Sequence, residues 1–262
     1  MGLEKRALVT GAGKRLGRAM ALYLGERGFD VAVHYGGSAE AAEEVAQALR
    51  AMGRTAVTLQ ADLLDEAQSE TLVARAAEAL GGPLGVLINN ASIFEHDDIA
   101  TATRASWDRA MESNLRAPFV LLQGFAAQAP EPETDSRGEP RARALCVNML
   151  DQRLRKLTPE FISYTLAKSA LWTLTQTGAR ALAPQVRINA IGPGPTLQGA
   201  DQSAEGFAKQ RAATVLQRGS NPEDICGALG YFLDAPGVTG QFLCTDGGQH
   251  LAWETPDTCD RE

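Results

Sequence analysis

Short apolar runs alternate along the chain with longer stretches in which apolar residues recur every three or four positions. The runs 7–10, 31–35, 56–60, 85–89, 144–149, 187–191 and 241–245 are predicted as buried strands. The amphipathic stretches 15–27, 39–52, 67–80, 106–129, 161–183 and 222–233 are predicted as helices. A strand separated from the next by a helix pairs with it in parallel, because the helix carries the chain back along the sheet. The prediction is an α/β fold: a single domain over residues 1–262, built on a doubly wound seven-stranded parallel sheet.

Two segments break the rhythm. Residues 130–140, rich in Pro, Glu and Asp, are expected to form an exposed surface loop without chemistry. Residues 193–206 follow the sixth strand at the carboxyl edge, where ligands of such sheets bind. They are expected to form a substrate loop acting as a mobile lid.

The 32 acidic and 25 basic side chains give a net charge of -7, which argues against a general nucleic-acid binder and for a small-molecule partner. The uncharged stretches 81–94 and 117–130 fall short of the roughly 20 apolar residues that a membrane helix needs. The opening residues reach Gly11 before a long apolar region develops, so no secretory signal is expected, and Arg6 departs from the myristoylation pattern. Cys146, Cys226, Cys244 and Cys259 lack Cys-x-x-Cys spacing, which suggests neither zinc nor a disulfide framework and fits a reducing cytoplasm. His34, His96 and His250 are too scattered for a metal site or a Ser-His-Asp triad and are assigned structural or surface roles.

Candidate chemistry begins at Thr10-Gly11-Ala12-Gly13-Lys14-Arg15-Leu16-Gly17, between the first strand and first helix. Glycines there permit a tight turn and close approach of backbone to a pyrophosphate, and the helix N-terminus offers free N–H groups. A dinucleotide site selective for NAD has a carboxylate after the second strand, whereas this chain reads His34-Tyr35-Gly36-Gly37-Ser38. A 2'-phosphate meets no repulsion there, and Arg15 and Ser38 offer charge and a hydroxyl, which favours NADP(H). The alternative for Arg15 is that it solvates a helix start. Tyr164 and Lys168 stand at i and i+4, on one helix face. A neighbouring cation stabilises phenolate and is expected to lower the tyrosine pKa from its usual value near 10.

The order of these motifs, with Asn89-Asn90-Ala91-Ser92 after the fourth strand, Asn114, and Pro193-Gly194-Pro195-Thr196 after the sixth, resembles the short-chain dehydrogenase/reductase family over nearly the whole chain. The resemblance implies a Rossmann fold, a homotetramer and a defined set of roles. Gly11, Arg15, Leu16, Gly17, His34, Tyr35, Ser38, Asp62, Leu63, Asn89, Ala91, Ser92, Pro193, Gly194 and Thr196 would line the NADP(H) site, with Asp62 at the adenine. Tyr164 would donate the proton, Lys168 would hold the nicotinamide ribose, and Asn114 would support a water relay. Leu171 and Trp172 would serve either a helix interface or core packing.

Most members of that family carry a serine 13 residues before the tyrosine, where this chain has Asp151. A carboxylate repels a developing alkoxide but suits a substrate protonated on nitrogen. The alternative is an Asp151 turned to solvent. The glycine turn with Arg15, His34-Tyr35 with Ser38, and Asn148-Met149-Leu150-Asp151 leading to Tyr164 are similar to pteridine reductases and dihydromonapterin reductases. In that group a phenylalanine after Asn-Asn-Ala-Ser stacks on the pterin, the place of Phe94, for which a core position is the alternative. Arg15, Ser92, Phe94, Asp151 and Tyr164 are thus the expected substrate contacts. The chain departs from that group at Gly37, where a basic residue is usual, and at Ile93, where a small polar one is. Asp97 and Asp98 are read as solvated loop acids near the substrate entrance. The expected reaction is NADPH-dependent reduction of a pterin or dihydropterin C=N bond. The alternatives are a carbonyl or 3-oxoacyl reductase of the same family and a non-catalytic NADPH-sensing protein.

Overall fold

Strand residues that alternate between two apolar faces need a helix layer on each. In the computed structural model, which describes residues 2–199 and 202–253, the chain runs β1 (Arg6–Val9), α1 (Arg15–Glu26), β2 (Asp30–Tyr35), α2 (Ala39–Ala51), β3 (Ala56–Gln60), α3 (Glu66–Ala79) and β4 (Val86–Asn89). It continues through α4 (Arg104–Met111), α5 (Ala117–Gln128), a short β5 (Glu133–Thr134) and β6 (Pro140–Arg141), β7 (Ala144–Met149), α6 (Ile162–Ala181) and β8 (Val186–Pro193). It closes with α7 (Ala204–Ala212), α8 (Pro222–Asp234) and β9 (Phe242–Thr245). The seven long strands form one parallel sheet in the order β3-β2-β1-β4-β7-β8-β9. The chain reverses direction across the sheet between β1 and β4, the point at which ligands bind in folds of this kind.

β1 illustrates the layering. Ala7 and Val9 face a core with Met20 and Leu24 of α1, Val45 of α2 and Phe232 of α8, whereas Leu8 faces one with Leu72 of α3 and Phe125 of α5. Leu171 of α6 is fully buried with Leu150 and Ala190, so it serves the core, and Trp172 lies half-buried against Phe242. No helix of the described residues is long and apolar enough to cross a membrane. Cys146, Cys226 and Cys244 are free thiols, and Cys259 lies outside the described residues.

Three expectations are corrected. The helix predicted over 106–129 is divided by a π turn, Glu112–Arg116, between α4 and α5. Pro118 has no N–H to donate, and the side chain of Asn114 donates to the carbonyl of Ala110, one turn earlier, at 3.1 Å. The 130–140 segment, predicted as a plain surface loop, is largely exposed but carries the short antiparallel pair β5–β6. The loop predicted over 193–206 begins inside β8 and ends inside α7, whose start is capped by Ser203 Oγ accepting from Gly206 N. Residues 200 and 201 of that segment lie outside the described residues.

Candidate active site

The carboxyl ends of β1, β4, β7 and β8 bring most of the candidate residues to one edge of the sheet. The glycine turn after β1 is as tight as its composition implies. Gly11 has φ +62°, and a Cβ on Gly17 would lie 2.2 Å from the Gly11 carbonyl oxygen. No side chain caps the start of α1, which leaves this end of the helix suited to an anion. Asn90, not singled out as a site residue in the sequence, pins the turn: its Nδ2 donates to the carbonyls of Thr10 at 2.8 Å and Gly11 at 3.3 Å.

His34 does not face a ligand. It is 2% exposed, its Nδ1 accepts from Gly11 N–H at 3.0 Å, and its Nε2 lies 3.1 Å from the Ala61 carbonyl. An imidazole that accepts at Nδ1 and donates at Nε2 is neutral, and burial pushes its pKa down to about 4. The unfolded chain binds that proton near pH 6.5, so the stabilisation is complete above 6.5 and is lost as pH falls toward 4. Thermal unfolding of the wild type between pH 7 and pH 4 is expected to lose about 3 kcal/mol more than His34→Gln loses over the same interval. Parallel losses would contradict the assignment.

After β2, Tyr35 packs partly against the core, while Gly36 and Gly37 are exposed and a Cβ on Gly37 would touch nothing within 4 Å. Ser38 makes no cap bond to α2. This open corner, with no carboxylate at residues 35–38, has room for a ribose phosphate, so the residues fit a phosphorylated dinucleotide. Asp62 lies exposed beside it, its carboxylate accepting from Leu64 N–H at 3.0 Å, and Leu63 packs partly into the core. Arg15 has φ +53°, and its guanidinium donates to the carbonyls of Gln198 at 2.8 Å and Leu197 at 3.1 Å, tying the glycine turn to the segment after β8. Leu16 packs partly against the core.

The side chain of Asn89 turns inward, into a buried polar ladder: Asn89 Nδ2 donates to Asn148 Oδ1 at 2.8 Å, and Asn148 Nδ2 donates to Thr175 Oγ1 at 2.9 Å. The side chain of Asn89 therefore does not reach the cofactor edge. Ala91 lies against Gly11, and Ser92 Oγ donates to Asn114 Oδ1 at 2.6 Å. Asn114 is fully buried, its amide also donating to the Ile93 carbonyl at 2.9 Å. At β8, Gly194 approaches Asp246 so closely that a Cβ would lie 2.6 Å away, and Thr196 is buried with its hydroxyl on the Gly194 carbonyl. Pro193 ends the strand beside them.

Asp151 and Tyr164 meet directly. The phenol donates to Asp151 Oδ2 at 3.2 Å, and Asp151 Oδ1 accepts from Arg153 N–H at 2.8 Å. Asp151 therefore does not point to solvent. Burial raises its carboxyl pKa. Burial, followed by the Asp151 charge, raises the Tyr164 phenol well above its usual value, with Arg153 and the Ser92 hydroxyl opposing. Lys168 is buried, donates Nζ to the Met149 carbonyl at 2.7 Å and stands 5.7 Å from the Tyr164 ring centre. The expectation of a lowered tyrosine pKa is corrected: burial and Asp151 raise it, and burial lowers Lys168 itself to about 8. In this state the phenol keeps its proton, as an acid in waiting must.

Phe94 is 52% exposed and is not a core residue. Its ring stacks on Phe161 at 4.2 Å and 7° and meets the edge of Tyr164 at 4.8 Å. Arg153 lies over the Phe161 ring, 4.9 Å from its centre. Asp98 is a partly exposed loop acid, but Asp97 is 3% exposed, which corrects its reading as a solvated residue. Its carboxylate binds Ser163, one residue before Tyr164.

Comparisons with known proteins give this geometry relatives. A family model described as enoyl-(acyl carrier protein) reductase matches residues 11–250. The structure of FolM alternative dihydrofolate reductase 1 from Brucella suis in complex with NADP superposes with a TM-score of 0.89 at 41% identity, over 98% of this chain and 99% of that one. The angucycline C-6 ketoreductase LanV with bound NADP superposes with a TM-score of 0.84 at 29% identity, over 95% of this chain and 97% of the other. The 3-oxoacyl-[acyl-carrier-protein] reductase FabG of Staphylococcus aureus is 28% identical over 256 residues, 96% of this chain and 100% of the relative. The glycine turn from Gly11 onward, six of the seven strands of the parallel sheet, the Asn114 π turn and the Tyr164–Lys168 pair fall within the matched region, and the chain belongs to the short-chain dehydrogenase/reductase family.

Proposed function

We propose that this protein is an NADPH-dependent reductase of a pterin or dihydropterin, acting on a C=N bond. The observation that carries the reading is the Tyr164 phenol hydrogen-bonded to the Asp151 carboxylate at 3.2 Å, in the place where the family's usual serine would serve a carbonyl. Asp151 accepts a proton more readily than an ordinary carboxylate because it is buried. It therefore suits a relay that passes a proton through Tyr164 to nitrogen. The half-exposed Phe94 ring, backed by Phe161, offers a flat heterocycle a stacking surface. The similarity to the Brucella suis FolM protein supports the same substrate class.

NADP(H) is the cofactor, held by the Gly11–Gly17 turn, by Ser38 in the open corner after β2, by Lys168 at the ribose and by Pro193, Gly194 and Thr196 on the opposite side. When bound, it supplies the hydride. Arg15 serves its phosphates and the substrate edge, since an anion attracts a guanidinium more strongly than the two neutral carbonyls it now contacts. Ser92, fixed by Asn114, faces the substrate beside Tyr164, and Asn114 supports the water relay. A homotetramer in a reducing cytoplasm completes the reading.

The test is NADPH consumption with dihydrobiopterin and dihydromonapterin against a panel of simple ketones, with NADH in parallel. Pterin turnover at least tenfold faster with NADPH is expected, given the missing carboxylate after β2. Ketone turnover with none on pterins would overturn the substrate assignment. It would favour a carbonyl or 3-oxoacyl reductase, the reading supported by the similarity to FabG and LanV.

A further inference from the structure

Helix α6 carries both Tyr164 and Lys168, yet its own sequence provides no cap. The residue before it, Phe161, has no side-chain oxygen and is held at φ 57°, a left-handed conformation that a phenylalanine rarely adopts. The first N–H groups of the helix are satisfied from a distant loop instead. The Asp97 carbonyl accepts from Phe161 N–H at 2.6 Å and Ile162 N–H at 3.4 Å. The Asp97 carboxylate accepts from Ser163 N–H at 3.2 Å and from Ser163 Oγ at 2.5 Å, with Ser106 Oγ of α4 at 3.4 Å. The carboxylate thereby sits at the positive end of a 20-residue helix.

We infer that Asp97 is a positioning residue that bolts the Phe94 loop to the catalytic helix and so fixes the substrate platform relative to the proton donor. Phe94 lies three residues before Asp97, and Tyr164 follows Ser163 directly. The two ends of this short bridge are the ring stack on Phe161 and the edge contact between Phe94 and Tyr164. Ser106, in the capping box of α4, ties the same carboxylate to the helix that leads into the Asn114 turn. One buried acid therefore joins the loop bearing Phe94, the helix that leads into the Asn114 turn and the helix bearing Tyr164. None of its contacts reaches the cofactor corner after β2. Removing it should alter catalysis and substrate binding without altering dinucleotide affinity.

The inference rests on Tyr164 as proton donor, so its test has one arm that needs no substrate. In Asp97→Ala, amide hydrogen exchange is expected to accelerate together in residues 93–97 and 161–164, leaving the β1–β2 half of the sheet unchanged. Asp98→Asn is the control, because the Asp98 carboxylate only caps its own loop through Ala100 and Thr101. That variant should quicken exchange near 98–101 alone. In the kinetic arm, on whichever carbonyl or C=N substrate the wild type reduces, Asp97→Ala should lose about 10- to 100-fold in kcat with a raised substrate KM. Its NADPH affinity should stay within about twofold of wild type. Asp97→Asn retains an oxygen for Ser163 N–H and should recover most of the rate. Should Asp97→Ala fail to fold, Ser163→Ala removes one of the bonds and is expected to lose rate in the same direction by a smaller factor. Exchange that rises in α6 but not in the Phe94 loop, or an unchanged kcat, would overturn the inference. A wild type that reduces ketones alone would sink the pterin reading and leave this test intact.

Discussion

A Tyr164→Phe enzyme is expected to lose about a thousandfold in kcat, the scale of removing a positioned general acid, while its affinity for NADPH stays within about twofold of wild type. Phenylalanine keeps the ring that meets Phe94 edge-on and removes only the hydroxyl that donates to Asp151. The substitution therefore separates proton delivery from packing. The dinucleotide corner formed by the glycine turn and the β2–α2 connection touches none of the atoms lost. Single-turnover rates alongside NADPH titration by fluorescence measure the two quantities independently. Retention of turnover within tenfold would mean that the proton arrives by another route, with Asp151 reaching the substrate directly or through water.

Asp151→Ser is expected to change which substrates the enzyme prefers. Pterin kcat/KM should fall by about 10²- to 10³-fold, in the range that positioned proton donors and electrostatic partners contribute, while activity on a ketone holds or rises. The reason is one of sign. A buried carboxylate beside the phenol supports protonation of nitrogen and opposes negative charge on a carbonyl oxygen, whereas a serine hydroxyl stabilises that oxygen and holds no proton in reserve. Asp151→Asn keeps the shape and removes the charge. If Asn behaves like Ser on pterins, charge is the operative property. If Asp151→Ser lowers pterin and ketone rates equally, the residue acts only as the cap of the turn it starts, where it accepts from Arg153 N–H, and its link to substrate class falls.

The sheet was legible because its strands are short and mostly apolar, and its central strands are buried on both faces, a pattern that leaves little freedom once a helix intervenes between each pair. The Gly11–Gly17 turn and Asp151–Tyr164–Lys168 were legible for a different reason: each is a spacing within one turn, one loop or one helix. What escaped depends on partners far apart in sequence. Asp97 and Ser163 are separated by 66 positions, and only the fold reveals that a loop acid is a helix cap. His34 reads as a residue at a strand end, whereas its ring bridges Gly11 and Ala61. The inward turn of Asn89 depends on Asn148 and Thr175, on two other elements. Helix α7 has no buried residue to give it an amphipathic signature, so its sequence looks like loop. The pKa of Tyr164 was misjudged because proximity to Lys168 is visible in a sequence and burial is not.

The π turn at Glu112–Arg116 sets local regularity against function. It amounts to one residue more than a regular helix would use to join α4 to α5, and that surplus residue is what orients Asn114 toward Ser92 and the Ile93 carbonyl. Deleting one residue there would restore an ordinary helix, with a better backbone ladder, but each residue of an α-helix advances the side-chain direction by about 100°. Asn114 would swing off the face it now occupies, and Ser92 would lose its acceptor. Single-residue insertions and deletions, usually tolerated in surface connections and damaging in cores, have here a position where the shorter chain would be the more regular and the less capable. The active site thus depends on a fault in helical register as much as on the side chains that surround it.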